Sequence, residues 1–206
     1  HDTPRRLQKG ETISIVFNLD QIAYRIFKGH KIRLSISNSY WPLLWPTPDK
    51  SEIEIVEGSI EIPVINGSIE NTRNFLPEKT DEPWKTETLR EASNSRKITR
   101  DIGSDGSILE IIDDFGLVRD LNHDLEIGSI AREWWSIHPD DPLSAEGKTH
   151  WTEERSRGAW KTRTETYAKM NSDAENFYIY AKLEAYENEI LFFEKEISET
   201  ISRDSH

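Results

Sequence analysis

AYRIFKGHKIRLSISNSYWP, residues 23–42, is the stretch from which the rest of this chain is read. Ile32, Leu34 and Ile36 face one way, and Lys31, Arg33, Ser35 and Ser37 the other. That two-residue period predicts a half-buried strand. A turn at Lys28-Gly29-His30 precedes it, and the aromatic-proline run Tyr40-Trp41-Pro42-Leu43-Leu44-Trp45-Pro46 follows. Strand, tight turn and rigid aromatic loop together predict a β-sandwich that presents something at one end.

The neighbouring segments repeat the period. Ile13, Ile15 and Phe17 alternate with Ser14 and Val16 before Asn18-Leu19-Asp20 breaks the run. Ile53 and Ile55 alternate with Glu52, Glu54 and Val56. Ile60, Ile62 and Val64 do the same, with Pro63 marking an edge. Residues 66–84 hold Gly67, Pro77, Pro83 and mixed charge with little periodicity, and read as a linker.

Beyond it the alternation returns. Residues 107–112 and 117–120 read as a hairpin closed through Asp113-Asp114-Phe115-Gly116. Residues 148–155 and 159–169 read as a second, turning at Ser156-Arg157-Gly158 and pairing Glu153 with Lys161 and Trp151 with Arg163. Phe177, Ile179, Ala181, Leu183 and Ala185 mark a buried face, after which Glu187-Asn188 turns the chain into 189–197. Helix signals are poor. The expected class is all-β: an antiparallel jelly-roll-like β-sandwich over 1–65, the linker over 66–84, and a β-rich C-terminal extension over 85–206.

The 23–42 stretch resembles the C-terminal β-domain of the X-Pro dipeptidyl-peptidase and cocaine-esterase family of serine hydrolases. The shared pattern runs through Ala23, Tyr24, Phe27, Lys28, Gly29, His30, Ile32, Arg33, Leu34, Ile36 and Ser37. The likeness extends from about Leu7 to Val64, and around 136–143 (SIHPDDPL) the chain resembles a longer tail seen in some relatives. The resemblance implies a non-catalytic region of a hydrolase acting on esters or amides. Its partner would be an α/β-hydrolase domain of the same polypeptide carrying the nucleophile, acid and base. Tyr40, Trp41 and Trp45 would then face that domain or its pocket, and Tyr24, Gly29, His30 and Arg33 would be structural. The family's β-domain normally begins well before Ile13, so an incomplete sandwich with exposed edges is expected to associate with itself as a homo-oligomer, or to be covered by strands from 86–163.

The residues themselves exclude several classes. With 26 basic and 38 acidic side chains the formal net charge is −12, a field that repels phosphate backbones and argues against nucleic-acid binding. No apolar run reaches the length of a membrane helix, and the first residues are polar rather than signal-like, which favours the cytoplasm. The absence of cysteine removes disulfides, thiolate zinc sites and cysteine nucleophiles. No glycine begins a G-x-S-x-G elbow; Gly103-Ser104-Asp105-Gly106-Ser107 reads as a turn, so no catalytic residue is expected here. His123-Asp124 and His138-Pro139-Asp140-Asp141 lack metal-ligand spacing, and neither metal nor cofactor is expected. The chain starts at His1 and its sole methionine is Met170, which suggests a piece of a longer polypeptide. Seven tryptophans leave a second reading open, a stand-alone carbohydrate-binding module with Trp41 and Trp45 as the stacking platform.

Overall fold

The ladders form in the C-terminal half of the chain. The computed structural model describes residues 7–50, 52–65 and 75–203. Eight strands succeed one another: β1 (Thr86–Arg90), β2 (Ser93–Arg100), β3 (Ser107–Asp120), β4 (Leu125–His138), β5 (Asp141–Arg157), β6 (Trp160–Ser172), β7 (Asn176–Glu187) and β8 (Ile190–Ser202). All pair antiparallel in one sheet, as a meander from β3 to β8, with β1 and β2 sharing the outer edge of β3. The described residues include no helix. The molecule is all-β and antiparallel, as the two-residue period implies.

Register divides the sheet into two unlike faces. One row across β3–β7 reads Leu109, Trp135, Gly147, Met170 and Ile179. Another on the same face runs from Ala131 through Trp151 and Thr166 to Leu183. The opposite face carries Arg132, His150, Tyr167, Lys182 and Glu196 in one row, and Thr152, Glu165, Glu184 and Glu194 in the next. Such a sheet is amphipathic, and its lateral contacts supply most of its burial. Ala131 and Ala145 are the fully buried apolar side chains among the described residues.

Two hairpins close as their turn residues require. Gly158 adopts φ +60° at the first position of a two-residue loop, where a type II′ turn demands glycine. Asn188 and Glu189 both take positive φ, 49° and 65°, the type I′ arrangement between β7 and β8. The β5–β6 register differs from expectation by three residues, with Glu153 opposite Thr164 and Trp151 opposite Thr166. Arg157 and Trp160 pair directly, so the loop is Gly158-Ala159 rather than 156–158. A two-residue turn matches the strands' twist better than a three-residue one, and with Lys161–Glu165 largely polar, burial did not oppose it.

The hairpin expected at 113–116 is instead a bulge within a continuous β3. Register passes from Asp114 opposite Ile130 to Leu117 opposite Gly128, leaving Phe115 and Gly116 against one residue of β4. Gly116 sits at φ +84°, and its N–H donates to Asp114 Oδ1 at 2.8 Å. Those are turn features, yet β4 runs unbroken alongside and its ladder carries β3 through. The edge partner changes there from β2 to β1. Arg90 fastens the exchange, donating from Nε to Asp114 (2.9 Å) and from Nη1 to Glu154 (3.0 Å).

The described residues before β1 enter no ladder. Phe27 and His30 close a turn by a 3.0 Å backbone bond with Gly29 at φ +92°, as expected of Lys28-Gly29. The runs at 13–17, 31–37, 52–57 and 60–64 keep their alternation without a paired neighbour, and Ile32, Leu34 and Ile36 stand 56%, 55% and 59% exposed. A strand acquires its hydrogen bonds only from an adjacent strand, so the period alone cannot form one. The linker expected over 66–84 lies outside the described residues for 66–74; residues 75–84 form no regular element and are exposed.

Candidate functional site

The aromatic-proline loop lies across one end of the apolar sheet face. Tyr40 O accepts from the Leu44 N–H at 2.9 Å, which curls the chain and sets Trp41 and Trp45 side by side. Their rings meet edge to face, with centroids 5.1 Å apart and planes at 82°. Trp41 makes a second edge contact with Trp135 of β4 at 5.8 Å, and Trp45 meets Phe177 of β7 at 6.2 Å. Such perpendicular pairs suit the aromatic quadrupole. Trp135 in turn lies over Gly147, where a Cβ would come within 2.6 Å of Cζ3; the glycine makes room for the ring.

Polar bonds fix the same junction. Trp45 Nε1–H donates to Ser172 Oγ at 2.9 Å, at the end of β6. Arg203, 3% exposed, donates from Nη1 to Ser172 Oγ and to the Asp173 carbonyl, both at 3.0 Å. Its Nη2 donates to the Pro46 carbonyl at 2.7 Å, and the guanidinium lies 4.7 Å from the centre of the Phe177 ring. Burial pushes the guanidinium's pKa down, opposed by the charge of Asp173. Asp173 is itself held below the usual carboxylate range by the Tyr178 hydroxyl and by the backbone N–H groups of Glu175 and Asn176. At the rim Lys50 Nζ stands 3.9 Å from Asp140.

The polar face carries a second cluster, centred on Glu165. Thr152 Oγ1 donates to Glu165 Oε2 at 2.7 Å, His150 Nε2 lies 2.7 Å from the same oxygen, and Arg163 Nη1 binds Oε1. Arg132 Nη1 donates to Thr152 Oγ1 at 3.0 Å, while the His150 ring stacks on Tyr167 at 4.4 Å and Arg163 covers Tyr186 at 4.2 Å. Burial pushes the Glu165 carboxyl up, but the bonds from Thr152, His150 and Arg163 outweigh it and hold the group below its ordinary value. Burial and the nearby Glu165 and Glu184 charges push the Tyr167 phenol up. Both carboxylate oxygens are committed to donors, and the Thr152 hydroxyl is spent on them. This arrangement fastens β4, β5 and β6 together; it does not present a nucleophile beside a free base. Among the described residues no group of three acidic or imidazole side chains is placed to hold a metal ion.

The expected site residues therefore divide. Trp41 and Trp45 come together and are half-buried against the sheet, whereas Tyr40 points outward at 63% exposure. Tyr24, Gly29, His30 and Arg33 are exposed on the unladdered segment. The His30 ring meets the Phe27 ring edge on, with centroids 5.9 Å apart. Sequence reasoning missed Ser172 and Arg203, whose partners are distant in sequence and leave no local signal. It missed His150 and Glu165 too, because Lys161–Glu165 is polar on both sides and carries no phase to place them.

Residues 1–87 match the family model of the X-Pro dipeptidyl-peptidase C-terminal non-catalytic domain. The matched stretch contains the Ala23-to-Ser37 pattern and the Tyr40–Pro46 loop, and ends in β1. No curated protein and no solved structure matches the chain. The first part of this chain is thus similar to a domain described as non-catalytic, and β2–β8 lie beyond the match.

Proposed function

We propose that this chain is a non-catalytic β-region of a serine hydrolase of the X-Pro dipeptidyl-peptidase or acyl-esterase type, which packs on an α/β-hydrolase domain of the same polypeptide and helps to close its active site. The observation that carries the reading is the match over residues 1–87 to the X-Pro dipeptidyl-peptidase C-terminal non-catalytic domain. Supporting it, the alternating apolar side chains of 13–64 are left facing solvent, as a surface awaiting a partner would be. Trp41 and Trp45 spend their ring edges on the chain's own sheet, which leaves Tyr40 as the residue of the three facing outward towards a second domain.

The carbohydrate-module alternative fits less well. Sugar stacking needs an open ring face, and two tryptophans at 82° to one another, half-buried against Trp135 and Phe177, do not make a common flat platform.

The test is hydrogen exchange on this chain alone and on the parent polypeptide that contains it. Amides of 13–17 and 31–37 are expected to exchange rapidly in the former and to gain protection in the latter, and Tyr40→Ala in the parent is expected to raise KM without lowering the melting temperature. Equal exchange in both settings would overturn the reading. So would cleavage of an activated acyl ester by this chain alone that a single serine replacement abolishes.

A further inference from the structure

β8 forms one edge of the sheet over 13 residues, Ile190–Ser202, and no further strand pairs with its outer side among the described residues. It contains no proline, and the irregularity in its pairing with β7 is confined to Phe192, between Leu191 and Phe193. From Phe193 to Ile201 the strand is regular and exposed on both faces. Phe193, Lys195, Ile197, Glu199 and Ile201 lie on the apolar face of the sheet; Glu194, Glu196, Ser198 and Thr200 lie on the polar face. A long regular edge of this kind is a template for another strand.

We infer that β8 is a self-complementary dimerisation edge, pairing antiparallel with β8 of a second copy about a two-fold axis through Ile197. In that register Ile197 meets Ile197 of the second copy, Lys195 faces its Glu199, and Phe193 faces its Ile201. Each of the last two contacts occurs twice by symmetry. On the polar face Glu194 stands opposite Thr200 and Glu196 opposite Ser198, so every carboxylate meets a hydroxyl and none meets another carboxylate. Directly opposed side chains on neighbouring strands come within contact distance, so these pairings determine which register is favoured.

The neighbouring registers that keep both apolar faces on the same side all fail. Centring on Lys195 opposes the two lysines and sets Glu194 against Glu196. Centring on Glu196 or on Glu199 opposes two carboxylates. Centring on Ser198 places Ile197 against Glu199. The charges that ordinarily blunt an edge therefore select one partner and one alignment here. Lys182 already holds Glu194 at 2.9 Å and Glu196 at 3.7 Å, while Lys195 and Glu199 have no ion-pair partner among the described residues. Phe193, Ile197 and Ile201, exposed by 48%, 42% and 50%, would lie along the seam of a sheet continuous through both copies. The opposite edge of the sheet, built from β1 and β2, has a different sequence, so the assembly closes at two. This inference stands independently of the hydrolase reading.

Sedimentation equilibrium of the full chain over a concentration series tests it. The chain is expected to dimerise, and Lys195→Glu or Glu199→Lys alone to weaken the dimer on the order of thirtyfold, since each turns two attractive pairs into two repulsive ones. The double variant K195E/E199K restores both pairs and is expected to recover the dimer. The chain has no cysteine, so Ile197→Cys introduces a single thiol, expected to cross-link the dimer under mild oxidation, while Ser198→Cys does so far less. All these positions are exposed, and unchanged circular dichroism establishes that the variants fold. A monomer throughout the series, a dimer indifferent to either charge reversal, or equal cross-linking at 197 and 198 would overturn the inference.

Discussion

Glu165 is the residue on which the polar face is organised. It is buried at 8% exposure, and its carboxylate receives Thr152, His150 and Arg163 together. Its folded pKa lies below the ordinary value of 4.5, so the stabilisation it brings is present above that pH and lost as pH falls through the depressed value. Urea unfolding followed by tryptophan fluorescence is expected to show a loss of stability on acidification below about pH 4.5, part of which disappears in Glu165→Gln. At neutral pH the same variant is expected to be less stable by about 2 kcal/mol, because Arg163 and Thr152 lose a charged acceptor. A variant as stable as the parent at pH 7, with the same acid slope, would show that the cluster is incidental. None of this network was legible residue by residue. Lys161–Glu165 is largely polar on both sides, so only the register of the ladder brings His150 and Glu165 onto one face.

At the scale of the element, the bulge at Phe115-Gly116 controls how the edge of the sheet is built. A Cβ at position 116 would lie 2.7 Å from the Arg90 carbonyl oxygen and 3.2 Å from the Ala92 nitrogen, both backbone atoms, and φ there is +84°. Gly116→Ala is therefore expected to cost about 3 kcal/mol in urea unfolding and to loosen the Arg90–Asp114 pair. A cost below about 1 kcal/mol would mean that β1 and β2 shift freely and that the bulge is not the pivot. The sequence signalled something at Asp113-Asp114-Phe115-Gly116 and misassigned it, because a turn and a bulge ask for the same residues. What distinguishes them is whether a neighbouring strand continues past, and that neighbour, β4, is not encoded in those four residues. The later hairpins were legible because Gly158 and Asn188 are turn residues standing between runs of strand-forming composition. Their registers were less so, since polar strands accept several alignments.

For the whole molecule, the decisive contacts are the few that cross from the first part of the chain to the last. Arg203 reaches the Pro46 carbonyl, and Trp45 reaches Ser172, spanning 157 and 127 residues. Arg203→Ala is expected to raise amide exchange over 41–47 roughly tenfold while leaving β4–β6 unchanged. Unaltered exchange over 41–47 would show that the aromatic contacts hold the loop without the guanidinium. The aromatic loop was visible from sequence as a rigid feature with an interface to make. That the interface lies partly within this chain was not, because its other half is spread over Trp135, Ser172, Phe177 and Arg203.

The meander has a kinetic corollary. From β3 onward each strand pairs with its successor, so every ladder closes a short loop and contact order within the sheet is low. Such a topology can nucleate at any hairpin and zip outward, without a costly search for remote partners. The Trp45–Ser172 clasp is the opposite case and should form late. A stopped-flow refolding trace is thus expected to resolve a rapid ellipticity change, followed by a slower quenching of indole emission as the distant ends find one another.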